Sequence, residues 1–336
     1  MNIPTIMNAI TITDSSAQGL KLNSIAIPEP KATEVLIRVV ATGVNRADIM
    51  QRLGHYPPPF GASPILGLEV SGIIVKCGLQ VHQFQIGDRV CALISGGGYA
   101  EYCVADSESV LPIPSSVNLI EAASLPETYF TVWSNLFQNT LLNQNDYLFI
   151  QGGSSGIGIT AIQLANAFGI KVIATTGTKL KCQRLYELGV QAAIHYPTQD
   201  FVSEIEQITS GKGVKVILDI LGGNYVAKHL RCLAIEGYLI QIAAQYGIKS
   251  EINLLSLMAK RLTLTGSTLR ARDNEFKAKI AQQLYTHVWH LFANQKIRPI
   301  IDQIFPLANA TAAHQRMDHP DHFGKIVLIV DESITP

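Results

Sequence analysis

The feature that most constrains this chain is a change of grammar near Asp146. From there short β-rich runs alternate with amphipathic ones: "YLFIQ", then "GITAIQLANAFG" with apolar residues at helical spacing, then "IKVIATT". The pattern continues through a helix ending at Gly189, the strand "AAIHY", a helix from Asp200 and the strand "VKVILDI". A further helix closes at Gly237, and "YLIQIA" and "RLTLTGS" follow as strands. Strand and helix in regular alternation imply a parallel, doubly wound α/β sheet, because parallel neighbours need crossover helices. The preceding 125 or so residues read differently. "EVLIRVVATGV", "LEVSGIIVKCG", "GDRVCAL" and "YAEYCVA" are short β runs punctuated by Gly and Pro, as in "YPPPFGASPILG", which predicts a compact, mostly antiparallel β domain. After a long amphipathic stretch ending near Gln295, "IRPIIDQIFPL", a short helix and "GKIVLIV" return to β-rich sequence that is expected to pack back on the first domain.

At 336 residues there is enough chain for two domains with their own cores. Charged residues are only 15 % of the chain, with 26 basic side chains balanced by 26 acidic ones, so no long-range field invites nucleic acid or an anionic membrane. No stretch approaches the roughly 18 apolar residues of a membrane helix, and the first residues lack a basic leader; a soluble, cytoplasmic protein acting on a small molecule is expected. The five cysteines form no C-x-x-C pair and are read as buried free thiols.

The segment "QGGSSGIG" (151–158) carries three overlapping patterns. Gly152, Ser154 and Gly156 spell G-x-S-x-G, the elbow of a nucleophilic serine, for which Asp219 and His314 could be recruited by chain order. Gly153, Gly156 and Gly158 spell a phosphate turn, with free backbone N–H groups and the positive end of a helix dipole facing the ligand. Gly152 with Gly156-Ile157-Gly158 fits a short-chain dehydrogenase opening, but that class needs Y-x-x-x-K, and no tyrosine here is followed four positions later by lysine. The elbow normally sits in a sheet already begun, whereas here a separate β domain precedes it. A steric need for glycine in a tight turn is the plainest alternative. At the end of the second strand, "ATTGTKLK" lacks the acid that would accept from a ribose 2′-hydroxyl and offers Lys179 and Lys181, which suit a 2′-phosphate or simply a solvated helix start.

An ordered set of motifs extends over nearly the whole chain: "GVNRADIMQRLGHYPPPFGASPILGLEVSG" (43–72), "GDRVCAL", "GGYAEYCV", "ASLPETYFTVW" (123–133), "GGSSGIGITAIQLA", "LGVQAAIHY", "ILDILGG", "RARDNEF" and "GKIVL". With these the chain resembles the zinc-free quinone oxidoreductase branch of the medium-chain dehydrogenase/reductase superfamily, above all its p53-inducible members and more distantly zeta-crystallin. The resemblance implies a GroES-like, β-rich substrate domain from both chain ends (1–126 and 297–336), a Rossmann domain between them (127–296) and NADPH in the cleft. Carried over by position, Asn45 and Tyr56 would line the nicotinamide and quinone side, and Thr131 would contact the carboxamide, giving the candidate catalytic set. Gly153, Ser154, Ser155, Gly156, Ile157 and Gly158 would lie at the pyrophosphate, Lys181 at the 2′-phosphate and Tyr196 beside the adenosine. Ile242, Ala243 and Ala244 would flank the nicotinamide. Simpler roles stand beside these: Asn45 as a helix cap, Tyr56 as loop packing, Thr131 as an ordinary helix residue, Tyr196 closing a strand edge. Glu69 reads as a structural hydrogen-bonding residue.

Zinc-dependent relatives carry Cys at or near the position of Asn45 and His in a "G-H-E" stretch that here reads Gly67-Leu68-Glu69; the structural-zinc cysteine cluster is missing too, so no metal is expected. His287 with His290, and His319 with His322, lack further ligands at suitable spacing. The implied activity is hydride transfer from NADPH to a quinone, with the protonating group water or Tyr56. Reduction of an enone or enoyl thioester and NADPH binding without turnover are the alternatives, and a homodimer through the edge "RLTLTGS" is the expected assembly.

Overall fold

A computed structural model describes residues 3–16, 19–138, 141–331 and 333. The chain forms two compact units, one running through Phe130 and resuming at Leu269, the other Thr131–Thr268.

The inner unit holds six parallel strands in the order Ala192–His195, Lys171–Thr176, Tyr147–Ile150, Val214–Asp219, Leu233–Gln241, Thr263–Gly266. In sequence order this is 3-2-1-4-5-6, so the strand order reverses beside Tyr147–Ile150, where open α/β sheets bind ligands outside the carboxyl ends of their strands. Phe149, Ile173, Ile194, Ile217 and Leu239 from five of those strands fill one core with Phe201, Ile205 and Leu230 from the covering helices. The elements are bounded by local chemistry. Asp200 Oδ2 accepts from Ser203 N–H at 3.3 Å to start helix Phe201–Ile208, and Gly189 follows helix Lys179–Glu187 at φ +87°, a left-handed stop that glycine adopts without steric cost.

One boundary differs from the sequence expectation. The helix before Gly237 is Tyr225–Cys232, and the strand already begins at Leu233. Its pairing jumps from Leu233 to Tyr238 while the neighbouring strand advances only from Val214 to Val216, so Gly237 lies in a bulge rather than at a helix end. Glu236 sits at φ +58° there and its carbonyl accepts from Lys215 Nζ at 2.9 Å.

The outer unit carries a seven-stranded sheet in the order Ile301–Pro306, Lys325–Ile329, Glu34–Val44, Glu69–Cys77, Arg89–Leu93, Val110–Pro112, with Tyr102–Asp106 also paired to Glu34–Val44. All pairings are antiparallel except Ile301–Pro306 with Lys325–Ile329. The last strand pairs Ile326 with Val44 and Ile329 with Ala41, so the chain end does return to the first β domain. The unit's larger clusters lie around Ile37, Val39, Val70, Ile74 and Val90 and around Ile10, Leu66, Tyr99, Ile326 and Leu328, with a small one at Ala41, Ala123 and Val327. The long amphipathic stretch is two helices, Asn274–His287 and Trp289–Ala293, separated at Val288. They belong to this unit rather than to the inner one. Lys277 Nζ donates to Ser95 Oγ (3.1 Å) and Trp289 Nε1 to the Pro112 carbonyl (2.7 Å). Among the described residues no helix is long and apolar enough to cross a membrane.

Candidate functional site

In the inner unit the turn after Tyr147–Ile150 is built for close approach. Gly152 takes φ +88°, its N–H donating to Thr175 Oγ1 (3.1 Å) and that of Gly153 to the Thr175 carbonyl (2.9 Å), which ties the turn to the second strand. A Cβ on Gly153 would stand 2.7 Å from Ala174 Cβ, and one on Gly158 2.6 Å from the Gly152 carbonyl oxygen, so the packing of helix on strand demands glycine at both. Ser155 caps helix Gly156–Ala167: its Oγ accepts from Gly158 N–H (3.0 Å) and donates to the Gly152 carbonyl (2.9 Å). Among the described residues the N–H groups of Gly156 and Ile157 have no acceptor. These two amides at the positive helix end form a cradle for an anion.

The end of the second strand lies against this turn. Thr176 Oγ1 donates to Ser154 Oγ at 3.3 Å. Thr178 caps helix Lys179–Glu187 by accepting from Lys181 N–H (3.2 Å), which sets Lys181 in the first helical turn, half-buried, with no carboxylate at the strand end. Tyr196 follows the third strand, its hydroxyl 3.3 Å from where a Cβ on Gly177 would stand. Burial and the neighbouring Tyr246 and Tyr225 hold its phenol above the ordinary value. After the fifth strand, Ile242 N–H donates to the Asp219 carbonyl (3.0 Å), Gln241 Nε2 to the Ala243 carbonyl, and Gly247 N–H to that of Ala244 (3.3 Å). Ile242 and Ala243 are half-buried and Ala244 is exposed.

These contacts overturn the serine-elbow alternative. Asp219 is fully buried with Oδ2 3.1 Å from His229 Nδ1, and its Oδ1 accepts from Leu221 N–H at 2.7 Å. His314 is buried against Tyr99 and Arg52, and burial pushes its imidazole down to about 3, so it is held neutral. Ser154 is left with a threonine hydroxyl, which cannot serve as its general base.

In the outer unit Asn45 is the N-cap of helix Arg46–Arg52, but its side chain does something else. Its backbone N–H completes the cap by donating to Asp48 Oδ2 (2.8 Å), while Nδ2 donates to Glu69 Oε1 (2.8 Å) and Oδ1 accepts from Lys325 Nζ (2.6 Å). Lys325 Nζ also donates to Glu69 Oε1 (2.7 Å) and the Val44 carbonyl (3.1 Å). Glu69 Oε2 accepts from Glu127 N–H at 2.9 Å. One fully buried carboxylate thus joins the Asn45 cap, the last strand and the start of helix Pro126–Val132, the structural role its sequence context suggested. Behind it Asp48 takes N–H bonds from Asn45 and Gly67 and the Tyr99 hydroxyl (3.3 Å); burial raises its carboxyl to about 6.

Tyr56 is half-buried, its ring 5.6 Å from the Arg270 guanidinium, which is fixed by two bonds to the Ser95 carbonyl (2.9 and 2.8 Å). Burial, then the Glu127 charge, hold the Tyr56 phenol above its ordinary value. Thr131 is buried near the end of helix Pro126–Val132, its carbonyl accepting from Asn135 Nδ2 (2.8 Å). Sequence reasoning missed Glu127, Lys325 and Arg270. The available signal was a lone charge at the head of the apolar run "GKIVLIV" and an acid behind Pro126 in an otherwise uncharged helix.

The residue types do not fit zinc. The positions that bear Cys and His in zinc-dependent relatives hold the Asn45 amide and the Leu68 hydrocarbon, and the adjoining carboxylate already has the Lys325 ammonium as its counter-charge. Among the described residues no group of three or more His, Cys, Asp and Glu could hold a metal.

Comparison with known proteins gives the family. Residues 31–115 match the family model described as "Alcohol dehydrogenase GroES-like domain", and 156–284 that of "Zinc-binding dehydrogenase". The quinone oxidoreductase of Sus scrofa is 30% identical, the alignment covering 97% of this chain and 98% of that one. Among solved structures, Escherichia coli quinone oxidoreductase complexed with NADPH superposes with a TM-score of 0.86 at 26% identity, covering 96% of this chain and all of that one (100%). CurK enoyl reductase superposes with a TM-score of 0.83 at 26% identity, covering 98% and 100%. The chain belongs to the medium-chain dehydrogenase/reductase superfamily of oxidoreductases and within it fits the quinone oxidoreductase branch.

Proposed function

We propose that this protein is a zinc-independent NADPH:quinone oxidoreductase. The observation that carries the nucleotide half is the cradle at the strand-order reversal: two unshared amides at a helix start, with no acid at the end of the second strand and Lys181 in the first turn of the helix that follows it. The Gly156 and Ile157 amides receive pyrophosphate oxygens, and Ser154 and Ser155 line the same turn. Lys181 meets the 2′-phosphate, Tyr196 flanks the adenosine, and the Ile242–Ala244 segment borders the nicotinamide. When bound, NADPH supplies hydride from C4 of its dihydronicotinamide.

The protein's part is alignment and charge stabilisation. Asn45 has one Nδ2 hydrogen committed to Glu69; the second is open to a carbonyl oxygen of the acceptor, and its direction is fixed because Lys325 holds Oδ1. A donor held this way favours the oxygen that gains negative charge. Tyr56, whose phenol stays protonated, lines the acceptor side, and Thr131 orients the carboxamide. The edge strand Thr263–Gly266, exposed at every residue, is the surface through which a homodimer would form.

The likeness to an enoyl reductase favours one second reading, reduction of an activated C=C bond. Purified protein tested with NADPH against 1,2-naphthoquinone, an enone and crotonyl-CoA separates them: quinone turnover is expected to dominate. Crotonyl-CoA turnover alone would replace the proposal, and NADPH fluorescence quenching with no acceptor reduced would leave a binding protein.

A further inference from the structure

Glu127 is a titratable group in the outer unit to which the mechanism above gives no task. Its backbone is anchored where the acceptor chemistry is proposed: its N–H is held by Glu69 Oε2 at 2.9 Å, and the other oxygen of that carboxylate holds Asn45 Nδ2 at 2.8 Å. Glu69 therefore fixes the spacing between Asn45 and the first turn of helix Pro126–Val132. Glu127's own carboxyl is spoken for by nothing: among the described residues no hydrogen bond or ion pair reaches its side-chain oxygens, although the residue is half-buried. A carboxyl so placed retains its hydrogen-bonding capacity for a ligand.

Resting on the quinone reductase reading, we propose that Glu127 is the proton donor of the reaction, delivering its carboxyl proton to the anionic oxygen of the newly reduced quinone. The balance is simple. The quinone gains two electrons and one hydrogen as hydride, and NADPH leaves as NADP+. The resulting hydroquinone monoanion forms an O–H bond as that of Glu127 breaks. The electron pair stays on the carboxylate, which is reprotonated by water before the next cycle.

The surroundings keep the acid protonated at neutral pH. Burial, followed by the Glu69 and Asp48 charges, raises the carboxyl to about 8, against the opposing pull of Lys325 and Lys277. Lys277 is itself pushed below its ordinary value by burial, and Lys325 is engaged by Glu69, Asn45 and the Val44 carbonyl, so neither cation neutralises Glu127 fully. Tyr56 and Arg270 also face it, each feeling the Glu127 charge. The Tyr56 phenol is the weaker acid of the two candidates, raised from 10.0. An acid whose value lies near the working pH is the more effective donor.

The test uses Glu127→Gln, which preserves the backbone bond to Glu69, with Glu127→Asp as the variant that restores an acid. In the wild-type enzyme kcat for a quinone should fall as pH rises through about 8. Glu127→Gln should lower kcat about a hundredfold or more and abolish that limb, with Glu127→Asp recovering part of the rate. Independently of turnover, infrared difference spectra of the protein alone should show a protonated-carboxyl band at pH 7 that bleaches through about 8 and is missing in Glu127→Gln. Quinone turnover with an unchanged kcat and pH profile in Glu127→Gln, or a wild-type protein lacking that band, overturns the proposal alone. Failure of the wild type to reduce any quinone removes the quinone reductase reading and this proposal with it, whatever the spectra show.

Discussion

Replacing Lys325 by methionine interrogates the buried centre of the outer unit. Methionine keeps most of the stem's volume but deletes the ammonium that donates to Val44 O, Asn45 Oδ1 and Glu69 Oε1 at 3.1, 2.6 and 2.7 Å. Glu69 is fully buried, so among the described residues its charge would be left with only the Asn45 Nδ2 and Glu127 N–H donors. Removing one partner of a buried ion pair costs about 3–5 kcal/mol, mostly the penalty of the stranded charge. For a unit of this size each kcal/mol moves the midpoint by about 2–4 °C, so a fall of about 6–20 °C is expected. Two units need not unfold together, so the transition must be assigned. The chain's two tryptophans permit this: Trp133 lies in the inner unit and Trp289 in the outer, and in a Trp133→Phe background fluorescence reports the outer unit alone. The decisive comparison adds Glu69→Gln to Lys325→Met. The glutamine oxygen can accept from Glu127 N–H while its amide donates to Asn45 Oδ1, which is free to flip once the ammonium has gone, so more than half of the loss should return. A single-variant loss below about 1 kcal/mol, or a double variant no more stable than Lys325→Met, would refute the stranded-charge argument.

Gly158→Ala places a Cβ against backbone atoms of Gly152 and Gly153 that cannot rotate away, so the helix must retreat from the turn. The expectation is a loss of about 1–3 kcal/mol in stability and clearly weaker NADPH binding in a fluorescence titration; unchanged affinity would remove the cradle from the nucleotide site. Lys181→Ala deletes a charge-assisted bond of about 1.5–3 kcal/mol, which is about a 10- to 150-fold rise in Kd for NADPH. NADH should hardly respond, and equal losses for both would show that the lysine does not read the 2′-phosphate. Asp48, raised from 3.8 to about 6, holds its proton more tightly folded than unfolded. Its contribution is therefore full below pH 3.8 and lost as pH rises through about 6, a change of about 3 kcal/mol. Asp48→Asn should flatten the melting temperature of the outer unit between pH 4 and 7, and an unaltered slope would count against the assignment.

The parallel sheet was legible in the sequence because each strand–helix–strand step is local: the periodicity of "GITAIQLANAFG" and the β-branched run "IKVIATT" are complete within a few residues. Boundaries failed where a distant partner sets them. Gly237 resembles a helix stop, yet pairing with Val214–Asp219 draws the chain into a strand from Leu233 and leaves that glycine in the bulge. The glycine turn could be found as a pattern and a serine elbow disfavoured by the β domain before it, whereas only the distant partners of Asp219 and His314 show that neither is free to serve Ser154. Least visible was the Asn45–Glu69–Glu127–Lys325 cluster. Its hydrogen bonds join residues 24, 58 and 256 positions from Glu69, and no local periodicity encodes a separation of that kind.

The strand Lys325–Ile329 lies between Ile301–Pro306 and Glu34–Val44, inside the sheet rather than at its edge. During synthesis the stretch Thr131–Thr268 emerges whole and has every strand of its own sheet to hand. The earlier β segments, by contrast, must wait with an open seam until Lys325–Ile329 has been made. Translation order thus makes Thr131–Thr268 able to mature before the sheet around it, and a nascent chain stalled before Lys325 would expose a sticky strand flank to other polypeptides.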